Sequence, residues 1–173
     1  MAKIILNLAT SVDGFIADEN GGVDWLNDFN AEDYGMIDFF EQCGTAVMGS
    51  KSYEQALSFN SWFGKMEGII FTSRNLPPFK NEKITFVNGD PVPVVKDLRK
   101  KEKDSWLVGG GLLIASFIDL QLLDEMILTI IPRLLGKGLP LCPAIKEVSK
   151  LQLLDSKAYA DGVVRLRYSL FSF

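Results

Sequence analysis

The chain contains no histidine. Without an imidazole side chain it cannot form a Ser-His-Asp or Cys-His catalytic arrangement, and a histidine-containing zinc site is excluded as well. The expected functional site contains no metal ion. Acid–base chemistry in this protein must come from carboxylates, lysine, tyrosine, cysteine, water or a bound cofactor.

Cysteine and long apolar runs are also scarce. The only cysteines are Cys43 and Cys142, each in an apolar stretch, and this predicts two buried free thiols in a reducing compartment. No segment approaches the roughly 18 continuous apolar residues of a membrane span. The apolar N-terminal segment is interrupted by Asn7 and is not typical of a secretory signal. These absences predict a cytoplasmic protein that does not insert into a membrane.

Positive charge is in short supply, because 18 Lys and Arg stand against 22 Asp and Glu, for a formal net charge of −4. A nucleic-acid-binding protein needs a basic surface that neutralises phosphates. The one basic cluster, residues 96–103, is typical of a solvated helix end. We therefore expect a small-molecule partner and no nucleic acid.

What the chain does have is a regular alternation of strands and helices over 173 residues, a length typical of one domain. Residues 14–18 extend the first strand or pair beside it, and residues 151–171 are predicted to form a hairpin around Asp161-Gly162. The other predicted elements are strands at 3–10, 45–48, 67–73, 83–87, 105–108 and 125–132, and helices at 31–43, 50–59, 93–103 and 111–119. The prediction is a single α/β domain, residues 1–173, with a mostly parallel sheet, helices on both faces and a C-terminal antiparallel hairpin.

Ligands of open α/β sheets gather at the carboxyl ends of the parallel strands, and three predicted strand ends carry suitable residues. Gly109-Gly110-Gly111 opens a helix and is either a tight corner or an anion site. Thr72-Ser73-Arg74 is either a surface arginine with capping hydroxyls or a phosphate site. In Gly49-Ser50-Lys51-Ser52, Ser50 is either an ordinary N-cap or a ligand contact. Three such signals at neighbouring strand ends favour a ligand more than any one of them alone.

Asp33 is the most informative single residue. On a continuous helix over 31–42 it belongs to the same row as the apolar side chains of Met36, Ile37 and Phe40. A carboxylate on a buried face is costly unless it meets a partner or a ligand, and partial burial raises its pKa. Asp33 is therefore either a site residue that binds or protonates a nitrogen heterocycle, or a first-turn acid that the helix dipole favours.

In this order, the segments resemble the dihydrofolate reductase superfamily, in particular the branch that includes the reductase domain of bacterial riboflavin biosynthesis. SVDGFIA (11–17) resembles the first-strand signature of that branch, and VMGSKSYE (47–54) resembles the M-G-R-x-T-[WY]-E segment of dihydrofolate reductases. FTSR (71–74) is similar to the strand end that meets the adenosine phosphate. Residues 108–141 follow the branch's order of G-G-G, L-x-D-E, P and G-x-G, so the resemblance covers nearly the whole chain.

The resemblance implies an NADPH cleft. Gly109 and Gly110 match a glycine pair, often joined by a cis peptide, that lies against the pyrophosphate and nicotinamide side of the cofactor, while Gly111 mainly starts the helix. Asp33 matches the acid that binds the pterin ring, and Thr129 matches the threonine that hydrogen-bonds this acid; these two are the expected catalytic positions. The other implied cofactor-binding positions are Asp13 and Gly14 beside the nicotinamide, Gly49, Lys51 and Ser52 at the pyrophosphate, and Ser73 and Arg74 at the 2′-phosphate, with Ser50 and Thr72 next to them.

These matches together imply an NADPH-dependent reductase of a small pterin- or ribosylamino-pyrimidine-like substrate, which receives a hydride while a proton comes from water or through Asp33. Ser50 stands where the family has arginine, and we expect Lys51 and Arg74 to compensate for the missing charge. Relatives of this branch commonly dimerise, which implies a homodimer. The alternatives are a non-catalytic nucleotide- or pterin-binding module on the same fold and a structural dimer without a ligand.

Overall fold

A computed structural model describes residues 1–170 of the chain. The strands are β1 (Ile4–Ser11), β2 (Phe15–Ala17), β3 (Cys43–Gly49), β4 (Glu67–Phe71), β5 (Ile84–Val87), β6 (Asp104–Gly109), β7 (Glu125–Ile131), β8 (Leu139–Pro140), β9 (Leu151–Ala158) and β10 (Val164–Leu170). The α-helices are α1 (Met36–Gln42), α2 (Ser50–Phe59), α3 (Pro91–Leu98) and α4 (Gly111–Asp119). Short 3-10 helices cover Asp24–Leu26 and Ala31–Tyr34.

The main sheet has the strand order β5-β4-β3-β6-β1-β7-β10-β9. All neighbours from β5 to β7 are parallel, and β10 and β9 add an antiparallel hairpin at the far edge. The chain passes from β1 to β3, builds outward through β4 and β5, and then returns to insert β6 between β3 and β1. This confirms the predicted α/β fold class. The carboxyl ends beside such a reversal of strand order are where open sheets bind ligands.

Both faces of the parallel strands are covered, because consecutive strand residues point to opposite sides. Ile4 and Leu6 of β1 belong to a core formed with α3 and α4. Ile5, between them, belongs to a second core formed with α1 and α2. All three side chains are fully buried, as the near-continuous apolar runs of the strands predict. The helices on both faces are therefore confirmed.

The prediction of one helix over 31–43 is wrong. Gly35 adopts a left-handed conformation with φ of 83°, and this separates the 3-10 helix from α1. The break changes the phase of the helix, so that Phe39 is 3% exposed whereas Ile37, placed in the apolar row by the continuous-helix prediction, is 52% exposed. A backbone conformation that only glycine adopts without strain thus redirects the whole segment.

Two further elements differ from the expectation. Residues 14–18 contribute β2, which pairs with the short strand β8 and forms a ribbon separate from the main sheet. α3 begins at Pro91 and ends at Leu98, earlier than predicted at both ends. The side chain of Asp90 accepts a hydrogen bond from the backbone N–H of Val92 at 2.9 Å and so caps the helix. Pro91 lacks an N–H, which costs nothing here because N–H groups of the first turn have no acceptor within the helix.

Both cysteines are free, as predicted, but only Cys43 is fully buried, and Cys142 is half-buried. Burial raises the pKa of the Cys43 thiol to about 12, so it is protonated at neutral pH. Within residues 1–170, none of the helices is both long and apolar enough to cross a membrane.

Candidate cofactor-binding site

The predicted cofactor-binding residues lie at one edge of the sheet. The carboxyl ends of β4, β3, β6 and β1 stand side by side, so the loops after them form a row about 14 Å long, from three strand spacings. We call this row the carboxyl edge. It carries, in spatial order, residues 72–74, 50–52, 109–111 and 13–14. The structure therefore brings together segments that are up to 98 residues apart in the chain.

Gly109 and Gly110 form the turn after β6, with φ angles of 136° and 60° that strain any L side chain. No other residue packs tightly against the turn: the nearest atom to a Cβ added at Gly110 would be Oγ of Ser52, at 3.9 Å. A Cβ on Gly49 would likewise stand 3.9 Å from the carbonyl oxygen of Gly109. The peptide between the two glycines is trans, which differs from the cis bond that the resemblance implied. The turn is thus both a tight corner and an open surface for a ligand.

Gly111 has a packing role beyond starting α4. A Cβ at this position would lie 2.8 Å from Cδ of Pro143 and 3.0 Å from the carbonyl oxygen of Pro140. Residues 140–143 therefore pass directly over the first turn of α4, and only glycine leaves them room. The expectation that Gly111 mainly starts the helix was incomplete.

Two helices begin at the carboxyl edge, and neither has a side-chain N-cap within the described residues. Gly49 is the N-cap of α2 and Gly110 that of α4. Ser50 is the first residue of α2, so its interpretation as an N-cap is wrong. The uncapped backbone N–H groups and the helix dipoles favour an anion at this edge. Lys51 is exposed and Ser52 half-buried beside them, which adds a positive charge and a hydroxyl.

Thr72-Ser73-Arg74 forms the outer end of the carboxyl edge. The backbone N–H of Arg74 donates to Oγ1 of Thr72 at 3.0 Å, and Ser73 is exposed. The guanidinium of Arg74 donates two hydrogen bonds to the carboxylate of Glu54 on α2, at 3.0 and 2.7 Å. This pairing lowers the pKa of Glu54 and raises that of Arg74. Arg74, which the resemblance places beside a phosphate of the cofactor, is thus already paired with the carboxylate of Glu54.

The loop that carries Arg74 is anchored to α2 by a second contact. Tyr53 is fully buried, and its hydroxyl donates to the carbonyl oxygen of Pro77 at 2.8 Å. Because Tyr53 and Glu54 are consecutive on the helix, their two contacts hold the first half of the loop, at Pro77 and Arg74. The positions of Arg74 and Glu54 are therefore set by the surrounding structure.

The carboxylate of Asp13 binds the protein itself. It accepts hydrogen bonds from Oγ of Ser11 at 2.6 Å and from the backbone N–H groups of Leu135 and Gly136 at 3.1 and 2.7 Å. These bonds, led by the one from Ser11, lower the pKa of Asp13. Asp13 thus holds the loop at 135–136 beside the end of β1. Its neighbour Gly14 has φ of 86°, and no atom lies within 4 Å of the point that a Cβ would occupy, so it is the open part of this turn.

Asp33 is exposed, so the expected burial of this carboxylate is wrong. The 3-10 helix buries the next side chain instead, that of Tyr34, which is 8% exposed. Thr129 stands half-buried on β7, between Ala9 of β1 and Arg165 of β10. Within residues 1–170, no hydrogen bond joins Asp33 to Thr129. The structure therefore does not show the bonded acid–threonine pair that the resemblance implied.

Tyr34 connects the segment of Asp33 to the C-terminal hairpin. Its hydroxyl donates a hydrogen bond to the carboxylate of Asp161, and its ring packs edge-on against Tyr159 with centroids 5.0 Å apart. The hydrogen bond to Asp161, together with burial, raises the pKa of Tyr34 to about 12. The hairpin turn therefore fixes the position of the 3-10 helix.

Sequence reasoning missed three residues that shape this edge: Ser11, Tyr53 and Glu54. Glu54 is the last residue of the VMGSKSYE segment, and this was the only signal that could have drawn attention to it. Ser11 belongs to the SVDGFIA segment and bonds Asp13 within the same turn. Tyr53 acts through Pro77 in another loop, and no local pattern indicates that partner.

The family model of the RibD C-terminal domain matches residues 50–165, from the start of α2 to β10. This chain belongs to the RibD C-terminal domain family. YwjB of Bacillus subtilis (strain 168) is 33% identical over 165 residues, which cover 93% of this chain and 94% of YwjB.

Solved structures show that the likeness to this family extends to the fold. A crystal structure from Shewanella sp. PV-4, described as a proposed riboflavin biosynthesis protein, has a TM-score of 0.87 and 30% identity and covers 98% of this chain and 99% of that one. A dihydrofolate reductase from Enterococcus faecalis, complexed with NADP(H) and RAB-propyl, has a TM-score of 0.69 and 15% identity and covers 98% of this chain and 97% of that one. The fold is therefore of the dihydrofolate reductase type.

Proposed function

We propose that this protein is an NADPH-dependent reductase of a small pterin- or ribosylamino-pyrimidine-like substrate, acting as one domain over residues 1–173. The observation that carries the proposal is the composition of the carboxyl edge. Hydroxyls and an arginine follow β4, an uncapped helix follows β3, and an open glycine turn follows β6. A ribose phosphate, a pyrophosphate and a flat ring need these environments in this order.

The residues present fit a nicotinamide cofactor. Gly109 and Gly110 allow close approach of the backbone, and the first turn of α2 with Lys51 and Ser52 would hold the pyrophosphate. When bound, NADPH would supply the hydride. The work of the protein is then to bind and orient the two reactants and to keep them in register. The likeness to a dihydrofolate reductase complexed with NADP(H) supports the same cofactor here.

Asp33 is the proposed proton-handling group. Its exposure lets it exchange a proton with water, and it would meet a ring nitrogen of the substrate at the mouth of the site. Thr129 would line the floor of the site on β7, where it is half-buried. Tyr34, through Asp161, would keep the 3-10 helix in place while Asp33 acts.

The test is a titration with NADPH by calorimetry, followed by a screen of dihydrofolate, dihydropterins and ribosylamino-pyrimidines for loss of NADPH absorbance. We expect a dissociation constant of about micromolar or tighter and oxidation of NADPH with at least one substrate. No binding at millimolar NADPH would contradict the proposal and would favour a structural protein without a ligand.

A second candidate is a binding module that has the cleft without turnover. The exposure of Asp33, with no bonded threonine, is the observation that favours it. Asp33→Asn separates the two: a reductase loses most of its kcat while its affinity for NADPH is unchanged, whereas a module shows no oxidation before or after the change. Asp38→Asn is the matched control, because Asp38 is an exposed acid on α1.

We further propose that the protein is a cytoplasmic homodimer. β9 is the edge strand of the sheet, and three of its leucines are exposed, Leu151, Leu153 and Leu154, by 36%, 53% and 48%. A second copy that pairs with this edge would cover them. Light scattering after gel filtration should give the mass of a dimer for the wild type and of a monomer for Leu153→Lys. Leu134→Lys, at a leucine that is 74% exposed outside β9, should remain dimeric.

A further inference from the structure

The pair formed by Glu54 and Arg74 lies at the outer end of the carboxyl edge, where the adenosine ribose of a dinucleotide would lie. Its geometry is bidentate, since Nη1 and Nη2 of the guanidinium meet Oε1 and Oε2 of the carboxylate at 3.0 and 2.7 Å. The two side chains are about half exposed, at 51% for Arg74 and 43% for Glu54. A ligand can therefore reach both groups.

The pair is held in place by its surroundings. The backbone N–H of Arg74 donates to Thr72, and the loop is tied to α2 through the bond from Tyr53 to Pro77. Either partner would therefore remain at this end of the edge if the other turned toward a ligand. Both side chains are about half exposed and screened by solvent, so a doubly charged phosphate can compete with Glu54 for Arg74 although the pair is bidentate.

At such a position a carboxylate favours binding of NADH, and a guanidinium group favours binding of NADPH. A carboxylate accepts a hydrogen bond from the free 2′-hydroxyl of NADH and repels a 2′-phosphate, whereas an arginine binds the 2′-phosphate of NADPH. This chain places one of each at the same point. Protonation of Glu54 does not remove the carboxylate at neutral pH, because the bond from Arg74 keeps its pKa below the usual range.

We propose that Glu54 and Arg74 together make the adenosine end a dual-specificity site, so that the protein binds NADH as well as NADPH. Arg74 pairs with the 2′-phosphate of NADPH, and Glu54 accepts from the 2′-hydroxyl of NADH. Glu54 is then the residue that limits the preference for NADPH. This inference rests on the proposed nicotinamide cofactor and adds the basis of its selection.

The test is calorimetric titration of the wild type, Glu54→Gln and Arg74→Ala with NADPH and with NADH. The fragments 2′,5′-ADP and 5′-AMP serve as probes of the adenosine end alone. We expect wild-type dissociation constants for the two cofactors within about tenfold of each other. Glu54→Gln should tighten NADPH and weaken NADH, each by about three- to tenfold. Arg74→Ala should weaken NADPH at least about tenfold and change NADH less than about twofold.

Glu67→Gln is the matched control for the loss of one negative charge. Glu67 is also ion-paired and 37% exposed, but it starts β4 at the opposite edge of the sheet, so both affinities should be unchanged. If both cofactors bind but Glu54→Gln shifts them in the same direction, or leaves their ratio within about twofold, the dual-specificity inference is overturned and the proposed function stands. If neither cofactor nor either fragment binds the wild type, the proposed function fails as well.

Discussion

The two ends of the parallel strands differ in how far their charged and polar groups are withdrawn from solvent. At the amino edge, where β1, β6 and β7 begin, the carboxylate of Glu125 is only 4% exposed and receives Lys3 at 2.5 Å and Arg167 at 2.5 Å. Asp124 beside it accepts from Arg99 at 2.9 Å and from the backbone of Ile4 at 2.8 Å. At the carboxyl edge, two helices begin without a side-chain cap.

This difference separates groups that hold the fold from groups that remain available to a ligand. Each charged group named at the amino edge is paired with another group of the same edge, so these groups have little left to offer a partner. The carboxyl edge leaves backbone donors, hydroxyls and glycine surfaces unused by the described chain, which is the condition for binding an anion. Substitutions at the amino edge should therefore affect stability, and those of the unpaired groups at the carboxyl edge should affect affinity.

The largest expected effect is that of Glu125→Ala. Removing this buried carboxylate takes the acceptor from Lys3 and Arg167, whose side chains are 50% and 34% exposed, and should lower the free energy of unfolding by about 2 kcal/mol. Urea unfolding followed by circular dichroism measures this change, and NADPH affinity of the folded fraction should not alter. A loss below about 1 kcal/mol would show that the amino edge does not carry the stability assigned to it.

Gly110→Ala should have the next largest effect, chiefly on binding. A methyl group at the glycine turn should weaken NADPH more than about tenfold, while the strained backbone, with φ of 60° and ψ of 135°, costs at least about 1 kcal/mol of stability. Gly64→Ala is the matched control, because Gly64 has nearly the same φ, 62°, with nothing within 4 Å of a Cβ and no place in the site. Equal affinity losses in the two variants would mean that strain, and not contact with the cofactor, explains the result.

Asp13→Asn should have the smallest effect, and it should depend on pH. The folded pKa of Asp13 lies below its ordinary value of 3.8, so the ionised carboxylate stabilises the fold above that value, and this stabilisation is lost as pH falls through the lowered pKa. Thermal unfolding at pH 7 should therefore show a slightly lower Tm for the variant. The difference between variant and wild type should vanish in acid. A Tm difference that does not shrink as pH falls from 3.8 into the acid range would assign the effect to packing of the loop at 135–136.

The sequence alone predicted most of the fold, because the deciding signals were local. α2 and α4 have the predicted bounds, 50–59 and 111–119, since a glycine precedes or begins each helix and marks its start. The error at 31–43 arose from Gly35, whose left-handed backbone depends on tertiary context. The apolar row that included Asp33 assumed one uninterrupted helix, and its burial was inferred from that assumption.

The candidate site was predicted as a set of segments and not as a set of contacts. The resemblance placed Arg74 at the cofactor, but its pairing with Glu54 joins residues from two loops and could not be predicted from spacing. The one fully buried acid of the parallel sheet within the described chain, Glu125, follows Asp124 in a stretch that has the composition of a solvated turn. Its burial depends on Lys3 and Arg167, which lie 122 and 42 residues away.

The insertion of β6 beside β1 has a consequence for the order in which the chain can fold during synthesis. β1 is made first, yet Ile4 pairs with Ser105 and Ile5 with Glu125, so neither side of β1 has its partner until more than 100 residues have followed. The strongly apolar strand β1 therefore remains without its partner strands for most of the time of translation. Contacts of such long range also slow the search for the native state. We expect the nascent chain to depend on chaperones more than a chain whose first strand forms a hairpin with the second.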